Sequence, residues 1–265
     1  MIALITGASS GIGREFAKQL STVEGIDGFW LVARRREAME ELAATLRQPC
    51  RIISADLTTD EGLAAVEDLL RTEKPQIQYF INAAGYGKFG NYRELCREDV
   101  IGMIDLNVRA VAVLSQAVLP YMPKGSHLIE LGSGSCFTPL PNFAIYAASK
   151  SFVLHYSKAL YAEAKPYGVC VTCFCPGWVD TGFIGKAEDP SVSGPRAGAF
   201  RPLLKTESVV KKALRDAKRG KRMSVTNWYT KLQHFLFKAV PDCLLTALWL
   251  KMQKPSPKAE TEEKE

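Results

Sequence analysis

One unit repeats along most of this chain: a short apolar run rich in β-branched and aromatic residues, followed by a longer stretch with helical spacing. The runs are IALIT (2–6), FWLVAR (29–34), RIISAD (51–56), QYFINAA (78–84), HLIELGS (127–133) and VCVTCFC (169–175), with MSVT (223–226) as a seventh candidate. Most of them are apolar without alternation, so both faces must be covered, as in parallel strands packed between helices. The βα order therefore predicts an α/β fold, a doubly wound parallel sheet of Rossmann type with helices on both faces and a C-terminal helical extension. Ile12, Phe16 and Leu20 recur every four residues in the first helix, and the same logic predicts helices over 58–72, 98–119 and 146–166.

The turn after the first run narrows the ligand. TGASSGIG, Thr6 to Gly13, carries glycines at 7, 11 and 13 between a strand and a helix. Glycine allows close backbone approach and sharp turning, and a helix N-terminus offers unpaired N–H groups to a pyrophosphate. Thr6, Gly7, Ser9, Ser10, Gly11, Ile12 and Gly13 are thus candidate cofactor contacts. No GK[ST] follows, which excludes a Walker-type phosphate loop. At the end of the second run a carboxylate would bind the ribose hydroxyls of NAD, whereas an arginine accommodates the extra phosphate of NADP. The chain has Arg34 and Arg35 there, followed by Arg36, so NADP(H) is the expected cofactor, with Arg36 a solvated turn residue.

The reacting groups are proposed from spacing. Ser133, Tyr146 and Lys150 form S(x12)YxxxK, and a tyrosine and lysine four apart share one helix face. A phenol with a pKa near 10 is a poor proton shuttle at neutral pH. One positive charge about 4 Å away, at an effective dielectric near 20, is worth roughly 4 kcal/mol, or about three pKa units. Lys150 is therefore expected to bring Tyr146 towards neutrality, while Ser133 holds the substrate oxygen. Taken singly, each has a bland explanation as core aromatic, solvated lysine or turn serine. A hydrolase reading of Ser133 fails because GSGSC lacks the GxSxG elbow and the three histidines have no evident acid partner.

Together, TGxxxGxG and YxxxK resemble the short-chain dehydrogenase/reductase family, over about residues 1 to 226. The resemblance implies that Asp56, with Leu57, lies against the adenine. It implies that NAAG (Asn82, Ala83, Ala84, Gly85) lines the cofactor, Ala83 standing where the family carries a second asparagine. Asn107 in DLNVRA would sit at a helix distortion and support a water relay to Lys150, and Tyr146 and Lys150 would also touch the cofactor. CPGWVDTGF would place Pro176, Gly177, Val179 and Thr181 at the nicotinamide carboxamide. Ser149 is expected close to the cofactor. Glu130 and Gly132 depart from the family pattern, and Glu130 has no assigned role. Family members commonly pair through the helices containing Asn107 and Tyr146, which implies a homodimer or homotetramer.

Tyr86, Phe89, Phe137, Leu140, Phe143, Trp178, Phe183 and Ile184 are expected to face the substrate, with core packing explaining about half of them on general grounds. Tyr86, Phe137, Phe143, Trp178 and Phe183 are the substrate-pocket candidates. An apolar pocket suits a bulky lipophilic carbonyl or alcohol. The resemblance extends to a branch with hydroxysteroid and long-chain ketoacyl reductases, which favours a hydroxysteroid or bile acid, with a 3-oxoacyl chain as the alternative. A reading of another class is an interaction protein that senses NADP(H) without turnover. The complete Ser, Asn, Tyr and Lys set stands against it.

The remaining features bound organisation and partners. With 265 residues, 47% hydrophobic and 23% charged, the chain accommodates one large domain over 1–226, an apolar helical extension over 227–254 and a polar, disordered tail over 255–265. The net charge of +6 is concentrated in KKALRDAKRGKR (211–222), where Val210, Ala213, Leu214 and Ala217 supply a helical stripe ending at Gly220. A solvated helix is the better reading, and no nucleic-acid motif accompanies the charge. Seven scattered cysteines suit reduced thiols, and Cys170 and Cys173 in CVTC point to opposite faces of a strand, which argues against a metal or redox pair. No targeting segment and no run of eighteen apolar residues is seen, so no membrane-spanning helix and a cytoplasmic location are expected. Residues 181–202, rich in Gly, Pro and Ser, read as a functional loop. The extension over 228–254 would cover the pocket, form a subunit contact or, less favoured, lie on a membrane surface.

Overall fold

In the computed structural model, which describes residues 1–188, 192–195, 203–226, 230–232 and 240–254, the apolar runs are parallel strands, the central ones buried on both faces and the RIISAD strand at the sheet edge exposing Arg51 and Ser54. The first half runs β1 (Ile2–Thr6), α1 (Gly11–Leu20), β2 (Gly28–Ala33), α2 (Arg36–Ala43), β3 (Cys50–Ser54), α3 (Asp60–Glu73) and β4 (Ile77–Asn82). It continues with α4 (Arg97–Ile104), α5 (Ala110–Val118), β5 (His127–Leu131), α6 (Ala144–Ala164), β6 (Cys170–Cys175) and α7 (Phe183–Ala187). The last elements are β7 (Gly194–Pro195), α8 (Thr206–Lys218), β8 (Met223–Val225), α9 (Asp242–Lys251) and β9 (Gln253–Lys254). The expected tail over 255–265, and parts of the expected loop and extension, lie outside the described residues.

Seven strands form one parallel sheet in the order β3-β2-β1-β4-β5-β6-β8. Strand parity decides which layer each side chain enters. Ala3, Ile5, Phe29 and Leu31 join Phe16 and Leu20 of α1, Met39 and Leu42 of α2 and Val210 of α8 on one face. Leu4, Trp30, Val32 and Phe80 join Leu63 and Val66 of α3, Leu114 of α5 and Leu160 of α6 on the other. The strand order reverses beside β1, and Thr6 is level with Asn82 of β4, so a crevice opens at the C-terminal ends of these strands.

The helix expected over 98–119 is interrupted. A π turn spans Asp105–Arg109 between α4 and α5, and Asn107 is buried inside it. By length and mean hydropathy alone, 1.4, the run Arg97–Tyr121 would suffice to cross a membrane. Its Ala110, Leu114 and Val118 instead pack on the sheet with α3.

Helix α8 buries the expected stripe of Val210, Ala213, Leu214 and Ala217, but it buries Asp216 as well. Burial alone would raise the Asp216 pKa; hydrogen bonds from Lys212, Lys221 and Ser224 overcome this and hold it at about 2. Stability from this group is therefore complete above the unfolded carboxylate range and is lost as pH falls through about 2. Lys221 is half exposed, which discounts its share. Asp216→Asn should cost about 1–2 kcal/mol at pH 7 by urea unfolding, with the difference vanishing towards pH 2.

Trp249 of α9 donates through Nε1 to the Pro141 carbonyl at 2.8 Å, and β9 pairs antiparallel with β7. Trp249 thus joins the aromatic cluster around Phe143 and Tyr146, whereas Leu244 and Leu248 are about 60% exposed (60% and 61%). The described part of the extension accordingly lies over the end of the sheet where the crevice opens.

Candidate active site

The first wall is the turn after β1. Gly7 has φ +68°, and a Cβ on Gly13 would meet the Gly7 oxygen at 2.5 Å. Any side chain at 13 would force helix and turn apart, so the first turn of α1 sits hard against the strand end. Ser10 stands at the N-cap without using its side chain as a cap, and α1 has no acidic residue in its first turn. These N–H groups and the positive helix end remain available to an anion, and the residues present fit a dinucleotide pyrophosphate. Ile12 packs partly buried beside the core, and the Thr181 methyl would lie 3.4 Å from a Cβ on Gly11.

The second wall is basic. Arg35 donates to Ser9 Oγ at 3.3 Å, and Arg34 stands 3.7 Å from the Asp56 carboxylate. Partial burial would raise the Asp56 pKa, but the Thr58 N–H and hydroxyl, at 3.0 and 2.8 Å, and the Arg34 charge leave it below its ordinary value. Asp56 is therefore anionic throughout the neutral range, and Leu57 beside it is buried.

The floor is the end of β4. Thr6 Oγ1 donates to Asn82 Oδ1 and accepts from the Ala84 N–H, both at 3.0 Å, which locks β1 to the NAAG turn. Ala83 is buried in the apolar layer, so the family's second asparagine is not required to hold this turn. A Cβ on Gly85 would meet Asn107 Oδ1 at 2.8 Å and Lys150 Nζ at 3.2 Å, which brings those two residues to the same point.

Asn107 Oδ1 accepts from the Tyr86 N–H at 3.1 Å, and Nδ2 donates to the Tyr86 carbonyl at 2.8 Å and to Ser149 Oγ at 3.1 Å. Ser149, expected at the cofactor, instead donates to the Tyr146 carbonyl at 2.7 Å and ties Asn107 to α6. The reason is helical geometry: its hydroxyl reaches back three residues to its own helix. Lys150 is buried and donates to the Leu131 carbonyl at 2.8 Å, and its Nζ lies 5.7 Å from the Tyr146 ring centre. The Ser133 hydroxyl lies beside the Tyr146 hydroxyl, close enough to act on its titration. Ser135, which the sequence reading missed, donates to Ser133 Oγ at 2.8 Å and fixes it.

The electrostatics correct one expectation. Burial pushes the Tyr146 phenol above its ordinary pKa, and the Ser133 hydroxyl opposes this only in part. Lys150 does not reverse it, because burial lowers Lys150 itself to about 8. The protein alone therefore presents Tyr146 as a neutral phenol.

The aromatic residues divide. Phe143 is fully buried, stacked between Phe89 at 4.0 Å and Tyr146 at 4.4 Å, so it supports the Tyr146 ring rather than lining a pocket. Phe137 packs with Val153, Cys173 and Val225 on another side, because the 3₁₀ turn over Gly134–Phe137 carries it there; this corrects its pocket assignment. Trp178, Phe183, Ile184 and Leu140 gather with Tyr146, and Phe183 lies 5.4 Å from its ring. Tyr86 joins them, with its hydroxyl donating to the Asp99 carbonyl at 3.2 Å. A Cβ on Gly87 would strike the Tyr146 ring at 2.7 Å; only its place in NAAGYG hinted at this. Pro176 accepts from the Gly134 N–H at 2.8 Å, the Gly177 N–H donates to Thr226 at 3.1 Å and Val179 bridges Leu204.

A family model described as short chain dehydrogenase matches residues 1–191. An uncharacterized oxidoreductase of Staphylococcus epidermidis is 35% identical over 185 residues, covering 68% of this chain and 78% of the relative. The structure is similar to a short-chain dehydrogenase from Sphingobium yanoikuyae in complex with NADPH, with a TM-score of 0.78, 29% identity and coverage of 92% and 95% of the two chains. It is also similar to the bulky-bulky ketone specific alcohol dehydrogenase from Comamonas testosteroni, with a TM-score of 0.71, 26% identity and coverage of 91% and 94%. A dinucleotide cradle, a Tyr–Lys pair buried beside it and this breadth of match lead to one conclusion: the chain belongs to the short-chain dehydrogenase/reductase family, as an NAD(P)(H) oxidoreductase acting on CH–OH groups.

Proposed function

We propose that the protein is an NADP(H)-dependent oxidoreductase that interconverts a carbonyl and a secondary alcohol on a bulky apolar substrate, with a hydroxysteroid or bile acid favoured. The observation that carries the reaction is the meeting of Ser133, Tyr146 and Lys150 at the mouth of the dinucleotide cradle. Bound nicotinamide would supply or accept the hydride. Ser133 donates a hydrogen bond to the substrate oxygen, and Tyr146 delivers its proton to that oxygen as the carbonyl is reduced. Lys150 holds positive charge beside the phenol, which limits the cost of the phenolate left behind. Arg34 and Arg35 favour the 2′-phosphate of NADP(H), and the similarity to an NADPH-bound relative supports that choice.

The substrate class rests on the apolar side chains grouped around Tyr146, among them Trp178, Phe183, Ile184 and Trp249. Similarity to a dehydrogenase specific for bulky-bulky ketones points the same way. The test is NADPH consumption, followed by absorbance, with a panel of steroid ketones, oxo bile acids, long-chain 3-oxoacyl esters and small polar aldehydes. Turnover concentrated on the first two groups is expected. Preference for the acyl ketones would select the alternative substrate, and exclusive use of small aldehydes would defeat the bulky-substrate reading.

Self-association is proposed through the α4–α5 and α6 surface. Ile101, Ile104 and Phe152 are exposed there, at 39%, 44% and 36%, and only 33% of the apolar window in Arg97–Tyr121 is buried within one chain. Sedimentation should report a dimer or tetramer.

A further inference from the structure

Glu130 is fully buried in the middle of β5, level with Asn82 of β4 and Cys173 of β6. Few carboxyls occupy such a place, because desolvation of the charge is costly unless partners compensate it. Ser115 of α5 donates to Oε1, while Oε2 has no hydrogen-bond partner among the described residues. Ser115 is itself beside the Asn82 amide, and Asn82 accepts from Thr6. Glu130 thus ends a polar chain that starts at the glycine turn. The next residue of β5, Leu131, accepts the Lys150 ammonium through its carbonyl. The carboxyl and the ammonium therefore enter the same small buried region without forming a direct ion pair.

We propose that Glu130 is a positioning residue for the reaction, whose buried carboxylate keeps Lys150 protonated in the working site. Among the described residues, few groups face it. Helix α6 presents Lys150 and Tyr156, β6 presents Cys173, and β4 and α5 present the neutral Asn82 and Ser115. Around Lys150 stand Tyr146, Cys136, Cys173 and Cys175. The Cys173 and Cys175 thiols are raised well above their ordinary pKa, Cys173 by its contact with Cys175 first and then by burial, Cys175 by its contact with Cys136 first and by burial against an opposing contact with Cys173, so they bring no anion at neutral pH. Glu130 is the carboxylate of this group.

The charge logic gives the direction. Burial raises Glu130 to about 7, with the Ser115 hydrogen bond, the neighbouring Asn82 amide and the Lys150 charge opposing it, and burial lowers Lys150 to about 8. Above pH 7 Glu130 is an anion, and an anion nearby holds the proton on Lys150 to higher pH. Replacing it by a neutral amide lets Lys150 lose its proton earlier, and Tyr146 then loses the cation that stabilises its phenolate. The two groups titrate as a coupled pair, so the observable is the alkaline limb of the pH profile.

The inference rests on the reading of Lys150 as the cation of the reaction, so the experiment has two readouts. NADPH affinity by fluorescence and kcat/KM for a panel ketone are measured from pH 6 to 10 in wild type, Glu130→Gln and Glu130→Asp. In Glu130→Gln both alkaline limbs should move down by about one pH unit, a tenfold loss above both limbs, with acid-side values unchanged. Glu130→Asp, which keeps the charge, should bring both limbs most of the way back to their wild-type positions. Should Glu130→Gln not fold, Ser115→Ala weakens the carboxylate through its donor and should move the limbs the same way. Superimposable limbs in folded variants overturn the proposal. Turnover surviving in Tyr146→Phe would instead defeat the catalytic reading and leave the shift in NADPH affinity standing as evidence for the coupling.

Discussion

Tyr146→Phe should lower kcat/KM by about 10²–10⁴-fold while NADPH binds nearly as before, the usual range for losing a positioned general acid. The substitution isolates the hydroxyl. The ring is held by Phe143 at 4.4 Å and Phe183 at 5.4 Å and by the space Gly87 leaves, none of which needs the oxygen. What leaves is the proton and the polar contact with Ser133. Because burial raises the phenol, wild-type Tyr146 carries its proton across the neutral range, which is the state that carbonyl reduction uses. Oxidation needs the phenolate and must await the added charge of bound oxidised cofactor beside Lys150. The reductive rate should therefore be flat through neutral pH while the oxidative rate climbs with pH. Retained turnover in Tyr146→Phe with intact NADPH binding, measured by initial rates and fluorescence titration, would remove Tyr146 from the chemistry.

How much of this was legible in the sequence depends on the range over which each signal acts. The glycine turn and the YxxxK pair are local, so spacing alone placed Gly7 to Gly13 at a helix start and put Tyr146 and Lys150 on one face of α6. Asn107 was reachable only through resemblance, because nothing in DLNVRA says that a π turn will carry its side chain to the Tyr86 backbone. Phe137 and Phe143 could not be sorted, since six residues span a 3₁₀ turn and a loop whose direction tertiary packing decides. Glu130 illustrates a harder limit. In a run buried on both faces, parity tells which layer a side chain enters but not whether a donor waits there, and its partner Ser115 lies fifteen residues away in helix α5. The Lys150 pKa failed for a related reason: a charge was added to Tyr146 without desolvating the lysine that carries it.

Arg34→Asp should weaken NADPH binding by about 100-fold or more and NADH binding by only a few-fold. The difference between the two cofactors follows from what else Arg34 does. Its guanidinium is 73% exposed just past the end of β2 and lies 3.7 Å from Asp56, and the proposed function gives it the 2′-phosphate to bind. Losing a charge-assisted contact costs about 1.5–3 kcal/mol, and an aspartate there adds repulsion against the phosphate. NADH has no phosphate to repel, and a carboxylate at this strand end can accept from its ribose hydroxyls. The remaining risk to NADH is through Asp56, which loses one cation but keeps both Thr58 hydrogen bonds and so remains ionised and in place. Arg35, bonded to Ser9, retains part of the phosphate affinity, and Arg34→Asp with Arg35→Ala should widen the discrimination further. Dissociation constants for both cofactors decide the matter: equal losses would mean that Arg34 steadies the turn rather than reading the phosphate, and cofactor choice would then have to be sought in the loop around Thr181.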